Sequence, residues 1–245
     1  MTDVVIQALD NLGMTACAID TLGAPLALWM ISNWSRPDLR HRALLSAAEL
    51  ERAGQLRAAQ LRDRYVMAHA ACYLVVGTTF AIPSRLQRIG YGDRGKPMFI
   101  FHPDIQFSLS YCDEGFVIGV ARNVIIGVDV ERVRTIEDAA ELAELHYAPS
   151  ERNALGVRQL VDTDYDCRFL QVWTRKEACL KAAGLGIADM PLAEIDCGTA
   201  RTDPVRVGPH QLRTGTTQVG PNVVSWAWES RNEIAAQAAM CVPAG

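Results

Sequence analysis

The sequence predicts an α+β fold in which one chain forms two similar lobes. A short apolar strand, helical segments and further strands follow one another in the first half of the chain, and the same order of elements returns in the second half. The order of secondary-structure elements repeats, but the amino-acid sequence itself shows no internal repeat. We therefore expect one lobe over residues 1–122 and a second over residues 123–245, with the functional cleft between them.

The composition indicates a globular protein of the cell interior. The 245 residues are 49% hydrophobic and 21% charged, and a chain of this size can bury a core without disulfides or a structural metal. Seven cysteines, an odd number without a C-x-x-C pair, argue against a secreted disulfide framework. The first basic residue is Arg36, and no uncharged apolar run approaches the roughly 20 residues of a membrane helix. We expect a cytoplasmic protein without a signal peptide or a membrane span.

The first lobe begins with a segment that the sequence does not define. Residues 1–24 show no strong period, so we interpret them as a leader, whereas the apolar run at 26–31 predicts a buried strand. Residues 46–76 start with the spacing of a helix capping box and continue with apolar residues at helical intervals. This pattern predicts two helices with a joint near 58–61.

Strand patterns begin at residue 105 and continue into the second lobe. Two β-branched runs, 115–121 and 124–133, meet at Arg122-Asn123, which predicts a turn between antiparallel strands. The other elements of the second lobe are predicted from their period and from helix stop signals: helices over 135–147 and 164–183, and a hairpin of 223–229 with 234–242.

Charge is distributed unevenly although the net charge is only −4. Residues 36–96 contain eleven Lys or Arg and five Asp or Glu, whereas residues 127–151 contain seven acids and two Arg. A basic surface suits phosphate groups and an acidic one suits a hard cation. Two ordinary solvated faces are the alternative explanation.

Asp129 and Glu131 are two residues apart on a predicted strand. Side chains at that spacing point to the same face, while Val128 and Val130 point to the core. Two carboxylates held close together repel each other, and a divalent cation is the usual reason to tolerate this. A solvent-facing strand whose acids pair with nearby arginines remains the alternative.

The longest predicted helix presents Trp173, Glu177 and Lys181 along one face, four residues apart. Glu177 and Lys181 could be only a helix-stabilising pair worth about 0.2–0.5 kcal/mol. The neighbouring Trp173 argues against this, because it places Glu177 at the edge of the core, where a charge needs a partner.

Other chemistries lack their motifs. Gly90-x4-Gly95-Lys96 resembles a phosphate-binding P-loop, but Pro97 stands where the magnesium-binding hydroxyl belongs. A lysine at the tip of that rigid turn can still contact a phosphate. No G-x-S-x-G motif indicates a serine hydrolase, the five histidines lack zinc-ligand spacing, and no aromatic platform indicates nucleic-acid binding.

In chain order the sequence offers Arg64, Gly95-Lys-Pro97, Phe107-Ser-Leu-Ser110, the G-x-D-x-E motif at 127–131 and the W-x-x-K-E-x-x-x-K run at 173–181. This order resembles the Sfp-type 4'-phosphopantetheinyl transferases over about residues 26–196. The acidic motif and the helix motif together are more specific than either one alone. The resemblance implies a pseudo-dimeric fold of two lobes with the active site in the cleft between them.

The resemblance also implies roles for individual residues. Asp129, Glu131 and Glu177 match magnesium ligands. Glu151 matches, more loosely, an acid that helps to activate the nucleophile. The residues that match contacts to coenzyme A or to the reacting phosphate are Arg64, Lys96 and Ser110, with Arg52 as a weaker candidate, and Lys176 and Lys181 on the helix.

One position departs from the family pattern. Many members have Ser-His where this chain has Ser110-Tyr111, so the imidazole that contacts a coenzyme A phosphate is missing. A tyrosine hydroxyl donates one hydrogen bond and brings no charge. We expect either weaker binding of coenzyme A or stacking of Tyr111 near the adenine.

The resemblance implies a magnesium-dependent transferase that moves 4'-phosphopantetheine from coenzyme A to a serine of an acyl or peptidyl carrier protein and releases 3',5'-ADP; Mn²⁺ could replace Mg²⁺. We assign Lys181 to the transition state and Glu177, or Glu151 through water, to the serine proton. Two lobes in one chain suggest a monomer without a nucleic-acid or membrane partner. The alternatives are an inactive relative that only binds coenzyme A or a carrier, and a different metal-dependent phosphoryl-transfer enzyme.

Overall fold

The computed structural model of the protein describes residues 1–92, 94–113, 115–157, 163–198 and 204–230. The helices are α1 (Thr2–Asp10), α2 (Leu39–Arg42), α3 (Ala47–Gln55), α4 (Ala59–Phe80), α5 (Ala139–His146), α6 (Pro149–Leu155) and α7 (Thr163–Ala183). The strands are β1 (Met14–Ile19), β2 (Ala27–Trp34), β3 (Ile89–Tyr91), β4 (Pro97–Phe99), β5 (Ile105–Cys112), β6 (Gly115–Arg122), β7 (Val124–Arg132), β8 (Val205–Val207), β9 (His210–Val219) and β10 (Asn222–Ser230).

Two four-stranded antiparallel sheets organise these elements. The strand orders are β1-β2-β6-β5 and β7-β10-β9-β8, and β3 and β4 form a separate hairpin. In each four-stranded sheet a strand leads through a short helix and a long helix to a hairpin, whose second strand pairs with the first strand. The corresponding series are β2, α3, α4, β5, β6 and β7, α6, α7, β9, β10. The predicted α+β class with two similar lobes is confirmed.

The two helices predicted over residues 46–76 are confirmed as α3 and α4. The Ser46 backbone N–H donates to Glu49 Oε2 at 2.9 Å, and the Glu49 N–H donates to Ser46 Oγ at 3.3 Å. These bonds close the predicted capping box and satisfy two donors at the start of α3. The long helix α7 also ends as expected, with Gly184 at a φ of +70°.

The segment interpreted as a leader is part of the first lobe. Residues 2–10 form α1 and residues 14–19 form β1, which pairs with β2. Val5 and Leu9 are fully buried in the core that also contains residues of α4. Their spacing of four places them on one helix face. A nine-residue helix contains only this one pair of buried residues, so the helical pattern is hard to see in the sequence.

One predicted strand pairing differs from the structure. The strands β6 and β7 are not hairpin partners, because Asn123, at a φ of 57°, passes the chain from the first sheet to the second. In the second sheet β10 pairs with β9 and β7. The predicted partner at 234–242 lies outside the described residues.

The two sheets meet where β5 lies beside β7. The backbone N–H of Val128 donates to Ser108 Oγ at 3.0 Å, and that of Val130 donates to Ser110 Oγ at 3.3 Å. Serine hydroxyls therefore accept bonds from β7 at the junction. Asp129 lies between the two bonded positions of β7. Ser110 and Asp129 are therefore brought together at this seam.

The helix α7 packs on β7 and β10 at very close range. The Thr174 hydroxyl lies 2.7 Å from Ser225 Oγ, and Arg175 Nε donates to Thr216 Oγ1 at 2.7 Å. A Cβ at Gly127 would lie 2.1 Å from the carbonyl oxygen of Ala178. Glycine at this position allows the helix to approach the strand that holds Asp129.

Replacing Gly127 with alanine is expected to destabilise the protein by about 3 kcal/mol, because a backbone atom blocks the added methyl group. The thermal unfolding midpoint should fall accordingly. Gly54→Ala is the matched control: its Cβ would meet no atom within 4 Å, and it should stabilise α3 by about 0.5–1 kcal/mol. Equal midpoints for Gly127→Ala and the unaltered protein would contradict the close approach.

No helix in the described part of the chain has both the length and the apolar character needed to cross a membrane.

Candidate active site

An acidic pocket opens at the seam between the two sheets. This acidic pocket has a volume of about 550 Å³. It is lined by Leu109, Ser110, Tyr111, Asp129, Glu131, Trp173, Glu177, Lys181 and Ile187. The lining side chains come from β5, from β7 and from α7 with the loop that follows it. The three acids predicted to act together therefore share one pocket.

Asp129, Ser110 and Lys181 form a hydrogen-bonded triangle in this pocket. Lys181 Nζ lies 2.7 Å from Asp129 Oδ1 and 2.9 Å from Ser110 Oγ, and the Ser110 hydroxyl donates to Asp129 Oδ1 at 2.7 Å. The Asp129 side chain is 8% exposed and that of Lys181 is 32% exposed. A carboxylate that is nearly buried is thus neutralised by a cation that still reaches the pocket.

Glu177 lies half-buried beside these groups. Burial raises the pKa of Glu177, and the negative charges of Asp129 and Glu131 raise it further, whereas Lys181 lowers it. Glu131 itself accepts from Arg134 Nη1 at 2.8 Å. The three carboxylates are close enough to repel one another electrostatically, and each would gain from a shared cation.

This donor set fits a hard divalent cation, because carboxylate oxygens are the ligands that Mg²⁺ and Mn²⁺ prefer. Among the residues that the structure describes, no three acidic, His or Cys side chains are already arranged as a metal site. Asp129 and Glu131 are instead paired with Lys181 and Arg134. The protein's own cations hold two of the three carboxylates.

A second, basic cavity adjoins the acidic pocket. This basic cavity has a volume of about 470 Å³ and shares Leu109, Tyr111 and Lys181 with the acidic pocket. Its other lining residues are Arg52, Leu56, Tyr65, His69, Tyr91, Arg94, Gly95, Lys96, Pro97, Phe107, Ser108, Gly184, Leu185 and Gly186. None of these described lining residues is acidic, so the cavity suits an anionic ligand with an apolar or aromatic portion.

Arg52 and Lys96, two of the predicted coenzyme A contacts, line the basic cavity. Arg52 lies over the ring of Tyr91, 4.4 Å from its centroid, and lines the cavity. Lys96 also lines it, but its Nζ donates to the carbonyls of Ala182 at 2.8 Å and Ile126 at 3.3 Å. Lys96 therefore also ties the glycine-rich loop to the second lobe.

Tyr111 lines both cavities, and Arg64 lies over its ring at 5.0 Å from the centroid. Arg64 Nη1 also donates to the carbonyl of Cys112 at 3.4 Å. Burial raises the pKa of Tyr111, so its phenol is neutral. The aromatic ring occupies the position of the missing imidazole and holds Arg64 by a cation–π contact.

Comparison with known proteins connects this geometry to one family. The sequence model of the 4'-phosphopantetheinyl transferase superfamily matches residues 125–239. The 4'-phosphopantetheinyl transferase HetI of Nostoc sp. is 30% identical over 168 residues, which cover 67% of this chain and 69% of HetI. The chain belongs to the 4'-phosphopantetheinyl transferase superfamily.

Two further relatives support this membership. A putative 4'-phosphopantetheinyl transferase of Synechocystis sp. is 30% identical over 60% of each chain. The 4'-phosphopantetheinyl transferase gsp of Aneurinibacillus migulanus is 31% identical over 38% of this chain and 36% of its own length. The predicted family and the predicted class of enzyme, a transferase, are confirmed.

Three residues predicted to act in this transferase, Arg64, Glu151 and Lys176, line neither cavity. Glu151 and Lys176 are fully buried and form an ion pair of 2.6 Å. Lys176 Nζ also donates to the carbonyls of Leu192 and Ile195. Glu151 accepts from the backbone N–H groups of Ala148 and Cys197 at 2.8 Å each. The pair joins α6 to α7, and the structure does not bring it to the other site residues.

Several cavity residues of this phosphopantetheinyl transferase were not predicted. Arg94 lies in the glycine-rich loop, and Tyr65, His69 and Tyr91 form a wall of the basic cavity. Tyr65 and His69 are four residues apart on α4, and their rings stack at 3.9 Å. The helical spacing is visible in the sequence, but it does not show that this face of α4 borders a cavity and not the core.

Proposed function

We propose that this transferase moves 4'-phosphopantetheine from coenzyme A to a serine hydroxyl of an acyl or peptidyl carrier protein and releases 3',5'-ADP. The observation that carries the proposal is that a basic cavity, whose described lining contains no acid, joins a pocket of three carboxylates at Lys181. A diphosphate that lies at this junction has its nucleotide end on the basic side. Its reacting phosphate is then next to Lys181 and the acids.

We assign the nucleotide end of coenzyme A to the basic cavity. Arg52, Arg94 and Lys96 line it with cationic side chains, and Tyr65 and Tyr91 line it with aromatic rings. Cations hold phosphate oxygens, and aromatic rings suit an adenine. The glycine-rich loop that presents Arg94 and Lys96 is held to the second lobe by the bonds of Lys96 to backbone carbonyls.

We propose that Asp129, Glu131 and Glu177 hold one Mg²⁺, which Mn²⁺ could replace. Such an ion supplies a Lewis acid that neutralises charge on a diphosphate. Ser110 is 4% exposed, and its hydroxyl bonds to Asp129 and Lys181. We therefore assign Ser110 the task of positioning these two side chains at the junction.

The protein's own groups account for the proton and charge movements of the transfer. The serine oxygen forms a bond to the reacting phosphorus, and the bond from phosphorus to the bridging oxygen breaks, so that the electron pair leaves with 3',5'-ADP. We assign Lys181 to the charge that develops on the phosphoryl oxygens, because its Nζ reaches the pocket from Asp129. Glu177 is the proposed acceptor of the serine proton, because its half-buried carboxylate lines the acidic pocket together with Lys181.

We propose a carrier protein as the macromolecular partner, a monomeric transferase and a cytoplasmic location, without a nucleic-acid or membrane ligand. Free cysteines in the described part of the chain, among them the buried Cys72, support a reducing compartment. Ile187 is 51% exposed and lines the acidic pocket. Its position suits an apolar contact with the docked carrier.

Incubation with several apo carrier domains, coenzyme A and Mg²⁺ should add the mass of phosphopantetheine to at least one carrier, as measured by intact-protein mass spectrometry. Removal of divalent ions with EDTA should abolish the gain, and excess Mg²⁺ should restore it. A protein that binds coenzyme A but never modifies a carrier that an established transferase loads would be an inactive relative. Release of product from diphosphate or DNA without any carrier would indicate a different phosphoryl-transfer enzyme.

A further inference from the structure

His69 forms a buried pair with Glu49 in the wall of the basic cavity. Its Nδ1 lies 2.7 Å from Glu49 Oε1, and the side chains of His69 and Glu49 are 6% and 2% exposed. His69 also lines the basic cavity. A titratable ring, so far without a role in the transfer, therefore borders the proposed coenzyme A site.

Glu49 fixes the orientation of this ring. The carboxylate accepts hydrogen bonds from the backbone and hydroxyl of Ser46 and from the hydroxyl of Tyr73. Burial alone would raise the pKa of Glu49, but the bonds from His69, Ser46 and Tyr73 outweigh it, so the pKa is lowered. An ionised carboxylate only accepts, so His69 Nδ1 carries a proton, and Nε2 is the nitrogen left for a ligand.

The neighbours of His69 limit what that ligand can be. One face of the ring is covered by Tyr65, whose hydroxyl lies 3.1 Å from that of Tyr91. Arg52 lies over Tyr91. A planar base cannot stack on the covered face of the imidazole, and the described lining of the cavity is cationic without an acid. An anionic oxygen is the group that suits the edge of this ring.

The position of His69 indicates which anion this is. His69, Arg52, Tyr65 and Tyr91 line the basic cavity but not the acidic pocket, where the diphosphate is proposed to react. The phosphate of coenzyme A that lies away from its diphosphate is the one on the ribose 3'-oxygen. We propose that His69 binds the 3'-phosphate of coenzyme A through Nε2 and so selects coenzyme A over 3'-dephospho-coenzyme A.

This inference rests on the proposed function, because it takes coenzyme A as the donor. In the complex His69 donates both ring N–H groups, one to Glu49 and one to the phosphate, as an imidazolium. Tyr111, which lines the same cavity, brings no charge. The imidazole on α4 thus supplies the charged donor that Tyr111 lacks.

Steady-state carrier loading by His69→Gln tests the proposal with both donors. The KM for coenzyme A should rise about ten- to a hundredfold, the loss expected for one charge-assisted hydrogen bond, with kcat changed less than about threefold. The KM for 3'-dephospho-coenzyme A should stay within about twofold of the unaltered protein. An equal rise for both donors, or no rise for either, overturns the proposal.

His210→Gln is the matched control. His210 Nδ1 lies 2.7 Å from Glu229 Oε2, so this variant also loses a pair between histidine and a buried glutamate. His210 is in β9 and lines neither cavity. Its KM values for the two donors should both be unchanged. If His210→Gln alters the preference between donors as much as His69→Gln does, the effect is not specific to the basic cavity and the proposal falls.

The unaltered protein provides a test that does not depend on the folding of a variant. With ¹⁵N-labelled histidine, saturation with coenzyme A should shift the Nε2 resonance of His69, and 3'-dephospho-coenzyme A should leave it in place. A shift of equal size with both ligands would contradict the assignment. Failure of the unaltered protein to load any carrier contradicts the proposed function, whereas binding without this selective shift contradicts the role of His69 alone.

Discussion

Replacing Glu177 with glutamine is expected to reduce carrier loading about a thousandfold, equivalent to about 4 kcal/mol of transition-state stabilisation. The amide cannot accept the serine proton and removes one of three charges that would hold the cation. The fold should persist, because Glu177 is only half-buried and the pair of Asp129 with Lys181 remains. Loading rates from intact-protein mass spectrometry, together with a thermal midpoint, measure both effects.

Glu141→Gln is the control for the change in charge. Glu141 is an exposed acid in α5 and does not line the acidic pocket. Its loading rate should stay within about twofold of the unaltered protein. A Glu177→Gln variant that retains more than a tenth of the activity would show that this carboxylate is not part of the reaction centre.

Replacing Lys176 with methionine should destabilise the protein by about 3–5 kcal/mol, because it leaves Glu151 buried without its cation. Urea unfolding followed by circular dichroism measures this loss. The sequence motif places Lys176 beside Glu177, but successive helix residues point to different sides, and the effect should be on stability. The molecules of Lys176→Met that remain folded should keep most of their loading rate per molecule.

Lys181→Met is the matched control, because it removes a lysine from the same helix. The Lys181 side chain is 32% exposed and Asp129 keeps its bond from Ser110, so stability should fall less than in Lys176→Met while loading falls steeply. Adding Glu151→Gln to Lys176→Met should recover part of the lost stability, since the uncompensated charge is gone. If Lys176→Met unfolds at the same urea concentration as the unaltered protein, the buried pair is not a structural element.

The fold class and the helices could be predicted because their signals are local. The capping box at Ser46 and Glu49 and the glycine after α7 mark helix ends by hydrogen bonds and by a positive φ. Sheet partners depend on contacts between distant residues. Arg122-Asn123 has the pattern of a hairpin turn, and only the packing of the lobes decides that the next strand joins a different sheet.

The acids of the site were predictable for a similar reason, and its basic wall was not. Alternation along β7 places Asp129 and Glu131 on one face, and the four-residue spacing on α7 indicates Glu177 and Lys181. The sequence does not reveal whether a charged side chain points to a cavity or to a buried partner. Lys176 pairs with Glu151, and His69, which has no motif, lines the basic cavity.

Binding of Mn²⁺, followed by electron paramagnetic resonance in the presence of coenzyme A, tests the convergence of the three carboxylates most directly. The unaltered protein and Glu141→Gln should each bind one ion tightly. Asp129→Asn, Glu131→Gln and Glu177→Gln should each weaken that site at least tenfold. An ion bound with undiminished affinity by Glu177→Gln or Asp129→Asn would show that strand and helix do not share a cation.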